Sequence, residues 1–547
     1  MKKIIIFLIT LILQIKLFGA NYMINNKFPP QIQEFLKEIE RKEEMSTKAF
    51  WLLETTGSKD AAFLAASLDS EIKILFSNKE LYQILQDMNK NEIDDPIVKR
   101  QVEILINSFK GNMLPKDLLQ KISNKESELS QLYANFRAKI DKKEVSENEI
   151  REILSNEKDV EKRKKAYFAS KEIGDILAPH IIEVVKLRNK AAKTLGYKNY
   201  FEMSLDIQEI SKEKLFKTFD EISNKTKNTY DKMITKVFEK LAEKYNVKID
   251  EIGPWAFKDP FSQMDPLEED SLKDIFKDKD ILEISKKYYE KMGFNIDALI
   301  KDSDLFEREN KNQHAFCIAI NRRGDVRTLN NIKPNIRWQE TLLHEFGHAL
   351  YYLYIDKDLP WVLIDVPHTL NTEAIAMFMG RQAYEPSFLK EFLNVADENL
   401  LNEMKEGMKR RQLIFSRSAF LITEFEKNMY ENPDQNLNIL WWDLVEKHQK
   451  IKRPDNRENK NDWASKYHVG LAPVYYYAYM YGEVYASSLN KRLKEVTNSN
   501  VIWNEEAAKY LIDKIFKVGA KYRWDKAIEV SQDSIFSINA WVEDVTQ

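Results

Sequence analysis

The stretch TLLHEFGHALYY, residues 341–352, constrains this chain more than any other. His344 and His348 stand four residues apart, about one turn of an α-helix, so both imidazoles emerge from the same face. Two imidazoles converging from one side are what a zinc ion requires of a helix. Glu345, next to the first histidine, can reach a water on that face without being a ligand itself. The competing reading is a buried helix whose histidines are satisfied by hydrogen bonds in a core. It leaves the distribution of histidine unexplained, because six of the seven histidines lie between 314 and 468.

A catalytic zinc takes three protein ligands and keeps one position open. A third histidine shortly after the second is absent from HEFGHALYYLY. The downstream candidates are His368, in DVPHTLN, and Glu373, in NTEAIAMFMGR. Glu373 opens a helix-like apolar stretch and would project from a helical turn, whereas His368 sits in a proline-containing loop that holds a ligand less firmly. The chemistry therefore favours Glu373.

The rest of the chain predicts a mainly α scaffold. Only 14 glycines and 15 prolines occur in 547 residues, beside abundant Lys, Glu, Leu and Ile, which favours long helices over a turn-rich β fold. IIEVVKLRNKAAKTLGY, 181–197, has apolar residues at helical spacing and Gly196 where a left-handed cap would end the helix. NKESELSQLYANFRAKIDKKE reads as solvated helix faces. IGPWAFKDPFSQMDPLEED breaks the helical pattern near 252–270. HAFCIAINRRGDVRTLN, 314–330, carries two short apolar runs around Gly324 and Asp325 and reads as a small antiparallel β element just before the metal helix. Its free edge could take an extended peptide by main-chain hydrogen bonds.

Net charge of −3 gives no case for nucleic acid or an anionic membrane as partner. A single cysteine, Cys317, excludes an internal disulfide framework. MKKIIIFLITLILQIKLFGA has two lysines, an apolar run from Ile4 to Leu13 and small residues at Gly19 and Ala20. We read residues 1–20 as a secretory signal peptide and 21–547 as a single domain, which places the protein in the periplasm or outside the cell. A retained apolar helix in a cytoplasmic protein is the alternative. No later segment approaches transmembrane length, so stable membrane insertion is not expected.

The words HEFGHALYY and TEAIA resemble HEMGHIQYY and HEAIG of the angiotensin-converting-enzyme family of metallopeptidases, with Glu373 at the matching glutamate. Thimet oligopeptidase and its relatives share the HEFGH helix. KYHVGLAPVYYYAYMYGEVYASSL, 466–489, is similar to the converting-enzyme stretch KFHIPSSVPYIRYF through Lys466, His468 and Pro473. WWDLVEKHQKIKRP, 441–454, resembles EWWSLRLKYQGLCPP, and His314-Ala315 resembles a His-Ala pair equally far ahead of the motif helix. The resemblance implies a two-lobed helical fold around a deep cleft, with Zn²⁺ held by His344, His348 and Glu373. It implies Glu345 as general base, His468 and Tyr479 as donors to the oxyanion, and His314 and Ala315 on the substrate main chain. Lys466, Tyr476 and a glutamine would grip a free C-terminal carboxylate.

Two departures stand out. Met377 occupies the place of an aspartate that steadies a zinc histidine in the family, and the glutamine position falls on Phe257, with Lys258 beside it, within GPWAFKDPF, so that one clamp is missing or replaced by a second cation. The tyrosine register leaves Tyr477 as an alternative for the second tyrosine role. The implied activity is release of C-terminal dipeptides from peptides. Alternatives are a thimet-like endo-oligopeptidase, a single-residue carboxypeptidase, or a zinc- and peptide-binding protein without turnover.

Overall fold

Helix follows helix from Pro30 onward in the computed structural model, which describes residues 27–267 and 273–547. The segment read as a signal peptide lies outside the described residues. The first helices are Pro30–Thr56, Lys59–Leu75, Lys79–Lys90 and Pro96–Asn112. Their starts are fixed locally: the Ser58, Asn78 and Asp95 side chains accept backbone N–H groups of the following turn. These helices share an apolar core of their own around Ile32, Phe35, Phe76 and Phe109, where the three phenylalanine rings meet at 5.2–5.3 Å.

A second and larger core begins at the helix Lys116–Asn135 and runs to the C-terminus. Its longest member is Val160–Thr194, which contains the expected helical run from 181; Gly196 follows with φ 86° and Tyr197 N–H returns to the Ala192 carbonyl. The charged run NKESELSQLYANFRAKIDKKE departs from the expectation. It is helical only to Asn135, and the remainder forms a hairpin of β1 (Ala138–Ile140) and β2 (Lys143–Val145). Asp141 and Lys142 both take positive φ, 50° and 70°, the geometry of a tight two-residue hairpin turn.

The expected hairpin is present as β3 (Phe316–Ala319) and β4 (Val326–Leu329), antiparallel with Phe316 opposite Leu329 and Ala319 opposite Val326. Asn321 closes the turn by accepting the N–H groups of Arg323 and Asp325. Among the described residues β3 pairs with no strand other than β4. No described helix is long and apolar enough to cross a membrane.

The helices stand around a cavity of about 1030 Å³. Tyr133, Ile150 and Ile173 line it, from helices Lys116–Asn135, Glu147–Asn156 and Val160–Thr194. His344, Phe415 and Tyr479, from Ile336–Tyr354, Glu398–Glu431 and Tyr476–Thr497, line it as well. The fold is thus mainly α with a cleft and a small β element beside the motif helix, as expected.

Candidate metal centre

The motif lies on the helix Ile336–Tyr354, whose first turn is capped by the Asn335 side chain. It packs against the helix Thr369–Arg381, which carries Glu373, and that helix packs in turn against Tyr476–Thr497. Glycines allow both approaches. A Cβ at Gly347 would stand 3.1 Å from Ala376 Cα, and one at Gly482 would stand 3.3 Å from Glu373 Cβ. Larger residues at either place would push the helices apart and carry the glutamate away from the histidines.

His344 Nε2 and His348 Nε2 lie 3.7 and 3.8 Å from Glu373 Oε2, and the three ligand atoms fall within 4.8 Å of one another. Ligand atoms about 2 Å from one tetrahedral zinc would stand about 3.3 Å apart, so the cluster needs little movement to receive it. The chemistry of the donors fits as well. Glu373 Oε2 is buried without a hydrogen-bond partner, although Oε1 accepts the Tyr475 hydroxyl at 3.0 Å. A buried carboxylate oxygen aimed at two imidazoles is costly unless a cation joins them. Burial pushes the His344 imidazole down to about 4, and His348 also falls well below the ordinary range. Both rings are therefore neutral at physiological pH, the form in which they bind a metal. Burial likewise pushes Glu373 up to about 7.

Met377 indeed offers no carboxylate, and a different group steadies a ring. Thr372 Oγ1 lies 2.7 Å from His348 Nδ1, which leaves Nε2 to face Glu373. Glu345 is buried one residue from His344; burial, with the neighbouring Glu373 carboxylate, pushes it up to about 8. His368 is placed elsewhere. Its Nδ1 accepts the Leu370 N–H at 2.9 Å and caps the glutamate helix, while Nε2 meets the Tyr477 hydroxyl at 3.2 Å. Tyr477 also donates to Gln208 at 2.7 Å, and these bonds hold its ring away from the cavity-lining residues.

Tyr476 and Tyr479, one turn apart, face the cavity. The chain enters their helix through Val474 at φ 57°, a strained conformation for a β-branched residue, which is held by donating its N–H to the buried Glu426 carboxylate. His468 packs its ring 4.9 Å from Tyr476 and 6.3 Å from Tyr479, and burial pushes it down to about 3, leaving a neutral imidazole. Burial also raises the Tyr479 phenol, which stays protonated and able to donate. His314 is exposed and borders the same cavity; Ala315 follows it at the head of β3.

A glutamine does stand beside Lys466 and Tyr476, at Gln263 rather than at the Phe257 position. Lys466 Nζ donates to Gln263 Oε1 at 3.0 Å, and the Tyr476 hydroxyl donates to the same oxygen at 2.7 Å. The position-by-position match on Phe257 missed Gln263, because the chain reaches the cleft only after an irregular loop. In it Asp259 accepts the N–H groups of Phe261, Gln263 and Met264, and Ser262 takes φ 53°. Lys466 itself is 4% exposed, stands over the rings of Phe261 and Tyr476, and is pushed by burial down to about 7. Tyr475, just ahead of the helix Tyr476–Thr497, is the tyrosine whose hydroxyl reaches Glu373, and nothing in the run of tyrosines marks it.

A family model described as angiotensin-converting enzyme matches residues 27–535. The oligoendopeptidase F homolog of Lactococcus lactis subsp. lactis is 27% identical over 202 residues, which cover 32% of this chain. That match spans 30% of the relative's length.

Proposed function

This chain belongs to the angiotensin-converting-enzyme family, and from that premise we propose that it is a zinc peptidase releasing dipeptides from free C-termini of oligopeptides. The observation that carries this reading is the convergence of Lys466, Gln263 and Tyr476 in the cavity that His344 borders. A buried ammonium with two neutral hydrogen-bonding groups suits a terminal carboxylate and gives a peptide amide nothing charged to pair with.

His344, His348 and Glu373 would hold the zinc, with Thr372 keeping the His348 ring in place. Zinc, when bound, supplies a Lewis acid that polarises the scissile carbonyl and acidifies water. Glu345, in its ionised form, takes a proton from the attacking water and returns it to the leaving amine as the C–N bond breaks. The phenol of Tyr479 and the neutral His468 ring donate hydrogen bonds to the oxygen on which negative charge develops. His314 and Ala315 bind substrate main chain at the head of β3.

The partial likeness to an oligoendopeptidase supports a second reading, internal cleavage of short peptides. Incubating the zinc-loaded protein with a mixed peptide pool and reading product masses separates the two. Loss of two-residue masses from free C-termini is expected; internal fragments without such losses would favour the second reading, and no cleavage would overturn both.

A further inference from the structure

The helix Pro30–Thr56 runs along β3 and touches it turn by turn. Arg322, in the hairpin turn, pairs with Glu43 at 2.8 Å, and the Thr47 hydroxyl donates to the Ile320 carbonyl at 2.7 Å. The Phe50 and Trp51 rings pack 5.6 and 6.1 Å from Phe316. At the far end the contact is made by Asn312, two residues before His314. Its backbone N–H donates to the Glu54 carbonyl at 2.9 Å, and its Nδ2 donates to the Glu54 carboxylate. Its Oδ1 accepts the His314 N–H at 2.8 Å, and its carbonyl accepts Asn331 Nδ2 at 3.0 Å. Four hydrogen bonds thus pass through one side chain and its peptide groups.

The join is close on either side of Asn312. Arg308 donates to the Thr55 carbonyl at 2.6 Å, and a Cβ at Gly57 would stand 2.8 Å from the Asn310 carbonyl. Because the first turns of Pro30–Thr56 pack into the smaller apolar core, the head of the strand is tied to a helix outside the core that holds the metal cluster. His314 is exposed at that head, so the bond from its N–H to the Asn312 side chain bears directly on where it stands.

We infer that Asn312 is a positioning residue for substrate binding: it ties the His314 backbone to the end of the N-terminal helix and so sets where the strand meets the peptide. This rests on the reading of His314 and Ala315 as substrate-binding residues. Polar identity is what matters at this place, because the side-chain carbonyl must accept from His314 while the amide donates to Glu54.

The test uses the full zinc-loaded chain, with KM and kcat for one peptide and, in the Glu345→Gln background that binds without cutting, its Kd by calorimetry. Asn312→Ala should raise KM and Kd about tenfold, roughly the loss of one well-placed hydrogen bond, and leave kcat within about twofold. Asn312→Asp sets two carboxylates against each other and should weaken binding similarly. Adding Glu54→Gln to it restores a donor and an acceptor with the polarity reversed, and should bring KM back to within about twofold of the parent. Unchanged KM and Kd in Asn312→Ala and Asn312→Asp would overturn the inference, as would a loss that the double variant fails to repair. If Asn312→Ala does not fold, the Asp variant and its repair decide alone. A parent chain that binds peptide without cutting it still reports through Kd, and one that does neither overturns the peptidase reading and this inference with it.

Discussion

At the scale of single residues, the centre is a problem of unpaired charge. Glu373 Oε2 is buried without a hydrogen bond and faces two neutral imidazoles, an arrangement that a metal cation or a proton would balance. Glu373→Ala should therefore abolish tight zinc binding, measured as metal per chain after dialysis. His368→Ala should retain the metal and lose about 1 kcal/mol of stability, because His368 caps a helix. The opposite pattern would reassign the third ligand. Glu345→Gln should keep zinc and peptide binding but lower turnover at least about 10²-fold, since the amide cannot accept the proton. Near-normal kcat in the purified variant would contradict its role. The spacing of His344, Glu345 and His348 is legible in sequence because it depends on one helical turn alone. Gln263 is not, because what brings it to Lys466 is an irregular loop built on Asp259, whose length no periodicity records.

At the scale of elements, three helices and one loop create the site by crossing closely. The HExxH helix and the helix ending in Arg381 meet at Gly347, and the tyrosine helix reaches Glu373 at Gly482. The tyrosine helix and the loop through Gln263 enclose Lys466, so the proposed grip on a carboxylate carries a pH dependence of definite sign. Burial is the largest influence on Lys466 and lowers it to about 7; Asp259 and Glu147 act against this and Arg151 with it. In the empty cleft the ammonium is present below pH 7 and is lost as pH rises through that value. Only the ammonium pairs with a carboxylate, so KM for a free-acid peptide should rise above pH 7, by up to about tenfold per unit. The matching amide peptide should show no such rise, and a KM ratio of the two that stays constant from pH 6 to 9 would contradict the assignment. The tyrosine register also becomes explicable at this scale. Helical spacing marks Tyr476, Tyr477 and Tyr479 alike as candidates. Contacts more than 100 residues away in the chain, from His368 to Tyr477, decide which of them turns from the cleft.

At the scale of the whole molecule, the helical class and the β element beside the motif were readable from composition and from the apolar runs around Gly324. The partition into two cores was not, because it rests on pairings such as Glu54 with Asn312, 258 residues apart, that no local pattern encodes. The metal cluster lies within the larger core, so zinc binding should stabilise the fold by mass action, by about 2.7 kcal/mol at a hundred times Kd. Removal of metal by a chelator should lower the thermal midpoint by a few degrees, and added zinc should restore it; an unchanged midpoint would mean that the folded cluster does not hold the ion. The central claim is that this chain cuts from a free C-terminus gripped by Lys466. It is tested most directly with one peptide prepared as the free acid and as the C-terminal amide, cleaved at pH 6.5 by the parent and by Lys466→Ala. Dipeptide release from the free acid should be at least about tenfold faster than from the amide at low substrate, with the difference lost in the variant. Equal cleavage of both peptides by the parent would contradict it.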